Sequence, residues 1–173
     1  MKVSLYMAMT ANGMIARRDD RTGWSREEWK SYHDKVQEVG NIVIGRRTFE
    51  IMKNLREFDR IGNPFTVVVT SENLESRGNF AFVKSPKEAL NLLESKGFPE
   101  SLVAGGSMLN SSFIREGLID EIFIDIEPKL FGKGITLFAK WDFEKELGFI
   151  DSKHISSSTI QLHYKVKKDV SWK

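Results

Sequence analysis

The sequence predicts an α/β fold with a mixed, mostly parallel central sheet, flanking helices and an antiparallel hairpin at the C-terminus. Through most of the chain, short apolar runs such as 65–70 alternate with segments of helical periodicity such as 86–96. Runs of this kind indicate strands buried on both faces, and β-α repeats place such strands parallel. Residues 121–130 and 160–166 instead alternate apolar and polar side chains, which is typical of antiparallel strands at a sheet edge with one wetter face.

Capping residues and glycines set the helix boundaries. Ser25 and Glu28 have the spacing of a capping box, and Ser85 followed by Pro86 is a second helix start. Glycines at 40, 97 and 117 stand where helices end. We predict extended segments at 3–9, 14–16, 41–44, 65–70, 80–83, 101–104, 121–130, 150–155 and 160–166, and helices at 26–39, 49–56, 86–96 and 107–116.

The composition restricts the class of protein. A chain of 173 residues suits one domain, residues 1–173, with a substantial core. A net charge of +2 is too small to favour nucleic acid or an anionic membrane surface as a partner, and no apolar stretch fits a signal peptide or a membrane span. The sequence has no cysteine and its three histidines are far apart, so we predict no metal site. We expect a cytoplasmic protein.

The segment 41–50 contains the first candidate site. Its apolar run ends at Gly45, and Arg46, Arg47 and Thr48 follow before helical periodicity begins. A strand that passes through a glycine into a helix leaves free backbone N–H groups at the positive end of the helix dipole. Two guanidinium groups make this turn a candidate phosphate seat. An ordinary strand–helix turn with solvated arginines is the alternative.

Gly105-Gly106-Ser107 is a second candidate turn between a predicted strand and a predicted helix. Two residues without side chains let a diphosphate approach the backbone, and the helix start, which includes Met108, offers its N–H groups. Thr70 and Ser71 follow another strand and could add hydroxyl contacts. The alternative is that Ser107 caps the helix and the glycines only permit a tight bend. Because the carboxyl ends of parallel strands meet at one edge, we expect the turns to bind a dinucleotide together.

Glu28 has two interpretations. As the capping-box partner of Ser25 its carboxylate points back to the backbone; as a pocket carboxylate it would orient or protonate a polar ring. Glu27 is the fallback for the second interpretation, and we interpret His33 as structural. A serine hydrolase has little support, because Ser107 is not in a G-x-S-x-G elbow.

A longer signature lies in the last third of the chain. Gly117-Leu118-Ile119-Asp120-Glu121 is followed by Glu127-Pro128-Lys129-Leu130-Phe131-Gly132 and then by Leu137-Phe138. This stretch resembles the Gly-Leu-Val-Asp-Glu, Ala-Pro-x-Leu-x-Gly and Leu-Phe signature of the C-terminal reductase domain of the bifunctional riboflavin-biosynthesis deaminase–reductase, a member of the dihydrofolate reductase-like superfamily. The segment 45–50 looks like the Gly-Arg-x-Thr-Trp-Glu segment with which dihydrofolate reductases hold the NADPH phosphates, and 104–107 is similar to their pyrophosphate turn.

The resemblance implies a dihydrofolate reductase-like fold, NADPH as cofactor and a homodimer. It places Glu28 near the catalytic carboxylate of dihydrofolate reductases and Asn12 where the riboflavin enzymes have an aspartate, so both are candidate catalytic residues. The chain departs from the riboflavin enzymes at Asn12, at Tyr6, which stands in place of a lysine, and at Ala104, which stands in place of a glutamate. The Asp-Asp-Pro segment expected after the first glycine turn is also missing.

The resemblance therefore implies an NADPH-dependent reductase that transfers hydride to a C=N bond in or beside a small-molecule pyrimidine or pteridine ring. The expected substrate is the ribosylamino-pyrimidine phosphate of the riboflavin pathway, and dihydrofolate or another pterin is the alternative. A dinucleotide-binding module that has lost turnover is an alternative of another class, because of the changes at Tyr6, Asn12 and Ala104.

Overall fold

The computed structural model describes residues 1–139 and 141–168, so the last residues of the predicted domain lie outside the described ranges. The strands are β1 (Lys2–Thr10), β2 (Met14–Arg17), β3 (Asn41–Gly45), β4 (Phe65–Val69), β5 (Phe80–Val83), β6 (Glu100–Val103), β7 (Glu121–Glu127), β8 (Gly134–Thr136), β9 (Leu147–His154) and β10 (Ile160–Val166). The helices are α1 (Arg26–Val39), α2 (Arg46–Asn54), α3 (Glu57–Arg60), α4 (Pro86–Ser95) and α5 (Ser107–Arg115).

The main sheet has the strand order β5-β4-β3-β6-β1-β7-β10-β9. The strands from β5 to β7 pair in parallel, whereas β10 pairs antiparallel with both β7 and β9. The predicted mixed, mostly parallel sheet with a C-terminal antiparallel hairpin is therefore confirmed. A separate two-stranded sheet joins β2 to β8, a strand that the sequence patterns did not indicate.

Two apolar clusters pack the sheet against the helices. Leu5 and Val103 belong to the cluster that contains Phe113 of α5, and Ile42 and Ile44 belong to the cluster that contains Val36 of α1. All six side chains are fully buried. Adjacent residues of β1 belong to different clusters, Leu5 to the first and Tyr6 to the second, because successive side chains of a strand point to opposite faces. The sheet is thus covered on both faces where its strands are parallel.

The caps confirm most predicted helix boundaries. Ser25 accepts a hydrogen bond from the Glu28 N–H and Ser85 accepts one from Glu88, as N-caps do. Gly40 ends α1 with a φ of 75°, a left-handed conformation that glycine adopts without steric cost. The predicted helix 49–56 is wrong at both ends, because α2 begins at Arg46, directly after Gly45, and stops at Asn54, and the chain then forms the short helix α3.

The segment 121–130 has an antiparallel partner, as predicted, but the prediction that it lies at a sheet edge with one wet face is wrong. β7 lies inside the sheet, parallel to β1 and antiparallel to β10. Its supposed wet face carries Asp125 and Glu127, which are 0% and 1% exposed. Both carboxyl groups are held by hydrogen bonds, from Tyr6 and Gln161 to Asp125 and from Ser25 to Glu127, and buried acids persist only with such partners.

The edge strand β9 carries an apolar patch on its exposed side. Leu147, Phe149 and Ile150 are all exposed there. The predicted homodimer remains a prediction.

Candidate active site

The two glycine turns lie side by side at the carboxyl ends of β3 and β6. The Gly45 N–H donates to the Gly105 carbonyl at 2.8 Å, and the Ala104 N–H donates to the Val43 carbonyl at 2.9 Å. These hydrogen bonds extend the pairing of β3 with β6 into the turns themselves. The expectation that both turns fall at one edge of the sheet is therefore confirmed.

Both turns start helices whose first N–H groups have no side-chain cap. Gly45 is the N-cap of α2 and Gly106 is the N-cap of α5, and neither supplies a capping hydrogen bond from a side chain. Ser107 is the first residue of α5 and does not cap it, so the alternative explanation for Ser107 fails. Two adjacent helix N-termini concentrate free N–H donors and the positive ends of two helix dipoles, which is an arrangement that suits an anion.

A side chain is disfavoured at each glycine of the second turn, for a different reason at each. Gly105 has a φ of 91°, and a Cβ there would approach the sulfur of Met7 to 3.0 Å. Gly106 has an ordinary φ of −84°, but a Cβ there would stand 3.3 Å from the hydroxyl oxygen of Thr48. The peptide between the two glycines is cis. The narrow gap between Gly106 and Thr48 is thus kept open by the absence of a side chain.

The turns form one wall of a cavity of about 480 Å³, a volume within the usual range for small-molecule sites. We call this side the glycine-turn wall; it consists of Gly45, Arg46, Arg47 and Thr48 together with Gly106, Ser107 and Met108. Seven of the predicted cofactor-binding residues are thus brought together. Gly105 belongs to the same turn but does not line the cavity.

Thr70 and Ser71 are not among the residues that line the cavity, although Val69 is. The Thr70 hydroxyl accepts a hydrogen bond from the Glu72 N–H at 3.1 Å, and the Ser71 carbonyl accepts one from the Lys84 ammonium at 3.0 Å. Both residues therefore stabilise the turn after β4, and their contact with a cofactor stays a prediction.

Each arginine of the glycine-turn wall is paired with an acid. Arg47 donates from Nε and Nη2 to Asp20 Oδ2, at 3.1 and 2.8 Å. Arg46 contacts Glu72, with Glu50 one turn further along the helix. Both side chains are nevertheless exposed, with 43% of the Arg46 and 69% of the Arg47 side-chain surface accessible. The alternative of an ordinary turn with solvated arginines therefore stays open, although the ion pairs hold both guanidinium groups beside the start of α2.

A second part of the cavity lining, which we call the acid wall, combines carboxyl groups with aromatic rings. It consists of Tyr6, Trp24, Glu28, Trp29, Tyr32 and Glu57. Glu28 is only 2% exposed, and its Oε2 atom has no hydrogen-bond partner among the described residues. A buried polar atom without a partner is rare in proteins and marks a position where a ligand group can bind.

The capping box does not account for the Glu28 carboxyl group. Ser25 does accept from the Glu28 N–H, at 3.2 Å, but the Ser25 N–H donates to Glu127 Oε2 instead of to Glu28. Glu127 also accepts from the Ser25 hydroxyl at 2.5 Å. The place that a capping-box glutamate would take is thus occupied by Glu127. Glu28 is left to face the cavity.

The environment of Glu28 favours its neutral form. Burial raises the pKa of Glu28 to about 9, and the negative charges of Asp125 and Glu127 add to the effect of burial. Burial alone would raise the pKa of Glu127 as well, but hydrogen bonds from Ser25 and Lys129 hold it below its ordinary value. These pKa values favour a protonated Glu28 and an ionised Glu127 at neutral pH.

Behind the acid wall, Asp125 is the centre of a buried polar network. Tyr6 donates to Asp125 Oδ2 at 2.5 Å, and Gln161 Nε2 donates to Asp125 Oδ1 at 2.7 Å and to the Tyr6 oxygen at 3.1 Å. Burial raises the pKa of Asp125 to about 6, although the hydrogen bonds from Tyr6 and Gln161 counteract it. Burial and the charge of Asp125 raise the pKa of Tyr6, so its phenol stays protonated.

Asn12 lies outside the cavity lining. Its amide donates to the Phe131 carbonyl at 2.8 Å, and its carbonyl accepts from the Phe131 N–H and the Thr10 hydroxyl. These contacts tie the turn after β1 to the segment before β8. Its catalytic role stays a prediction that this position does not support.

Sequence reasoning missed three residues of this site. Asp125 and Glu127 were assigned to a wet face, and Glu57 follows a break between two helices that the periodicity does not show. One signal for Glu127 was available, because the backbone N–H of the capping serine Ser25 needs an acceptor. The spacing of the capping box assigned that acceptor to Glu28, whereas the structure shows that it is Glu127.

Within residues 1–139 and 141–168, no group of three or more acidic or histidine side chains converges as metal ligands would. No helix in these ranges is long and apolar enough to cross a membrane.

The fold is a mixed α/β fold, and a candidate anion-binding site lies at the carboxyl edge of its sheet. The RibD C-terminal domain model matches residues 1–161, and the chain belongs to this family. The chain is 31% identical over 170 residues to the uncharacterized protein YwjB of Bacillus subtilis (strain 168), covering 94% of this chain and 97% of that protein. It is 30% identical to the riboflavin biosynthesis protein RibD of Corynebacterium ammoniagenes, over 79% of this chain and 46% of that protein.

Solved structures show the same fold at lower identity. The Thermotoga maritima diaminohydroxyphosphoribosylaminopyrimidine deaminase/5-amino-6-(5-phosphoribosylamino)uracil reductase superposes with a TM-score of 0.76 at 20% identity, covering 96% of this chain and 56% of that chain. A pyrimidine reductase-like protein of Corynebacterium diphtheriae superposes with a TM-score of 0.74 at 14% identity, covering 97% and 92%.

The raised pKa of Glu28 has a measurable effect on stability. The unfolded chain loses this proton near pH 4.5 and the folded chain near pH 9, so the folded state binds the extra proton between these values. The free energy of unfolding must then fall as the pH rises from about 5 to 9. Glu28→Gln removes this titration, so its stability relative to wild type should increase across the same interval. Denaturant unfolding at several pH values measures the difference, and the exposed neighbour Glu27→Gln is the control. A difference between Glu28→Gln and wild type that stays constant from pH 5 to 9 would contradict the assignment.

Proposed function

We propose that this chain is an NADPH-dependent reductase that delivers hydride to a C=N bond in or beside a pyrimidine ring. The proposed substrate is 5-amino-6-(5-phosphoribosylamino)uracil, the compound in the name of the Thermotoga maritima relative. Membership of the RibD C-terminal domain family supports the reaction class. The observation that carries the proposal is the buried carboxyl group of Glu28, whose Oε2 atom has no partner among the described residues, in the same cavity as two uncapped helix N-termini.

The glycine-turn wall fits the phosphates of a dinucleotide. The N–H groups at the starts of α2 and α5 can bind a pyrophosphate, and the gap that Gly106 leaves beside Thr48 lets the phosphates reach them. Arg46 and Arg47 supply guanidinium groups suited to the additional phosphate that distinguishes NADPH from NADH. NADPH, when bound, supplies the hydride.

The acid wall supplies the proton. Reduction of a C=N bond adds hydride to the carbon and a proton to the nitrogen, and Glu28 is the protonated acid that lines the cavity. The rings of Trp24, Trp29 and Tyr32 give the reacting ring flat apolar surfaces and limit the access of water. Asp125 and Glu127 act through Glu28, because their charges keep its proton in place until the reaction requires it.

Replacing both arginines by alanine should weaken NADPH binding more than NADH binding. A charge-assisted hydrogen bond is worth roughly 1.5–3 kcal/mol, which corresponds to a loss of about tenfold or more for NADPH alone. Fluorescence titration of Arg46→Ala/Arg47→Ala with both cofactors measures the ratio, and Arg115→Ala at the far end of α5 is the control. Equal losses of affinity for NADPH and NADH would show that the arginines do not contact the 2′-phosphate.

Gly106→Val should abolish cofactor binding while the protein still folds. The backbone at Gly106 has an ordinary φ of −84°, so a side chain is not excluded by conformation, but the Cβ enters the gap beside Thr48. Gly132→Val, at an open position where a Cβ meets nothing within 4 Å, is the matched control. Circular dichroism reports the fold and NADPH titration reports the site. Normal NADPH affinity in folded Gly106→Val would contradict the proposal that the pyrophosphate binds at this turn.

Glu28→Gln should reduce turnover by roughly 10²-fold or more, as expected for loss of a general acid, and leave NADPH affinity unchanged. The wild-type rate should fall as the pH rises through about 9, because Glu28 loses its proton there, and the variant should lack this fall. Steady-state NADPH oxidation with the ribosylamino-pyrimidine and with dihydrofolate measures the turnover rate and its pH dependence, and Glu27→Gln is the control. Full activity in Glu28→Gln would contradict its role as proton donor. NADPH binding by wild type without oxidation in the presence of either substrate would instead indicate a binding module.

A further inference from the structure

Glu57 is a second carboxyl group on the acid wall, and it reaches the cavity through a break in the helical path. α2 stops at Asn54, Arg56 takes a left-handed conformation with a φ of 53°, and α3 begins directly afterwards with Glu57. This break brings Glu57, which is only 5% exposed, into the cavity lining.

Two basic side chains hold Glu57 without using all of its acceptor capacity. His33 Nε2 lies 2.9 Å from Glu57 Oε1, and Arg60 Nη1 lies 3.5 Å from Oε2. His33 is fixed in turn by the rings of Trp29 and Tyr32, both 5.9 Å away between ring centres. A carboxylate has about four acceptor positions, so Glu57 keeps acceptors for a group inside the cavity.

Glu57 and Glu28 face the same cavity with different properties. Glu28 has a buried Oε2 atom without a partner among the described residues, whereas Glu57 is held by His33 and Arg60. The basic side chains among the described lining residues are Arg46 and Arg47, and both belong to the glycine-turn wall. The acid wall therefore offers acceptors to N–H donors, and its described residues include no basic side chain that could bind a phosphate.

We propose that Glu57 is a substrate-binding residue that accepts a hydrogen bond from an exocyclic amino group of the substrate. Together with Glu28 and the aromatic rings of the acid wall, it selects an amino-substituted pyrimidine-type ring over one that carries only carbonyl groups. This inference rests on the proposed function, because it assigns the acid wall to the substrate and not to the cofactor. A site built to bind an N–H group discriminates strongly against rings that lack it, since its buried acceptor is then left unpaired.

The test uses ring binding without turnover. The probes are 5,6-diaminouracil and uracil, which share a ring and differ in two amino groups, and binding is followed by quenching of the fluorescence of the cavity residues Trp24 and Trp29. The wild-type protein should bind 5,6-diaminouracil about tenfold more tightly than uracil, and Glu57→Gln should lose most of this preference. Asp59→Asn removes a charge from the exposed side of the same short helix and should keep the preference.

A steady-state measurement distinguishes binding from catalysis. If Glu57 positions the substrate ring, Glu57→Gln should raise the KM for the ribosylamino-pyrimidine about tenfold and leave kcat close to wild type, whereas a general structural defect would also lower the melting temperature. Loss of the amino preference in Glu57→Gln but not in Asp59→Asn would support the inference even if no substrate were turned over, which separates it from the proposed reaction. Equal preferences in wild type and Glu57→Gln, or no binding of either ring by wild type, would overturn it.

Discussion

The hydrogen bond from the Gly45 N–H to the Gly105 carbonyl is the contact on which the site depends. It continues the pairing of β3 and β6 past the last strand residues, so that the two helices that follow begin next to each other. Without this contact α2 and α5 would each present an ordinary helix start. With it, the free N–H groups of two helices and two arginines surround one volume, and that volume opens directly onto the start of α1.

The second constraint is the burial of three carboxyl groups beside this volume. Asp125, Glu127 and Glu28 cannot all be ionised cheaply in a poorly solvated region. Hydrogen bonds stabilise the charge on Glu127 and partly that on Asp125, and the remaining electrostatic cost appears as a retained proton on Glu28. The acid that the proposed reaction needs thus follows from how its neighbours are bonded. Tyr6, which stands in place of a lysine of the riboflavin enzymes, contributes to this balance of charge because its hydroxyl donates a hydrogen bond to Asp125.

Local patterns predicted the parts of the site that depend on local geometry. The strand–helix junctions at Gly45 and Gly106 could be predicted because their signals, a glycine between an apolar run and a helical periodicity, lie within a few residues of each other in the sequence. The burial of Asp125 and Glu127 could not be predicted in the same way, because their partners Gln161 and Ser25 are distant in the chain. Alternation on β7 was read as one wet face, whereas long-range hydrogen bonds satisfy those acids inside the protein.

Glu57 marks the other limit of prediction from sequence. It depends on a single left-handed residue, Arg56, which is not a residue type that usually signals such a conformation. At Thr70 the structure shows a local role, because the hydroxyl oxygen accepts a hydrogen bond from the Glu72 N–H, and contact with a cofactor stays a prediction.

The central claim is that the two glycine turns form one phosphate-binding site. Titration of the isotope-labelled protein with NADP⁺, followed through the backbone amide NMR signals, tests it most directly. The amides of 46–48 and 107–109 should shift together and give one common dissociation constant, because the same pyrophosphate would contact both helix starts. Shifts confined to one turn, or largest at residues outside the cavity, would contradict the account.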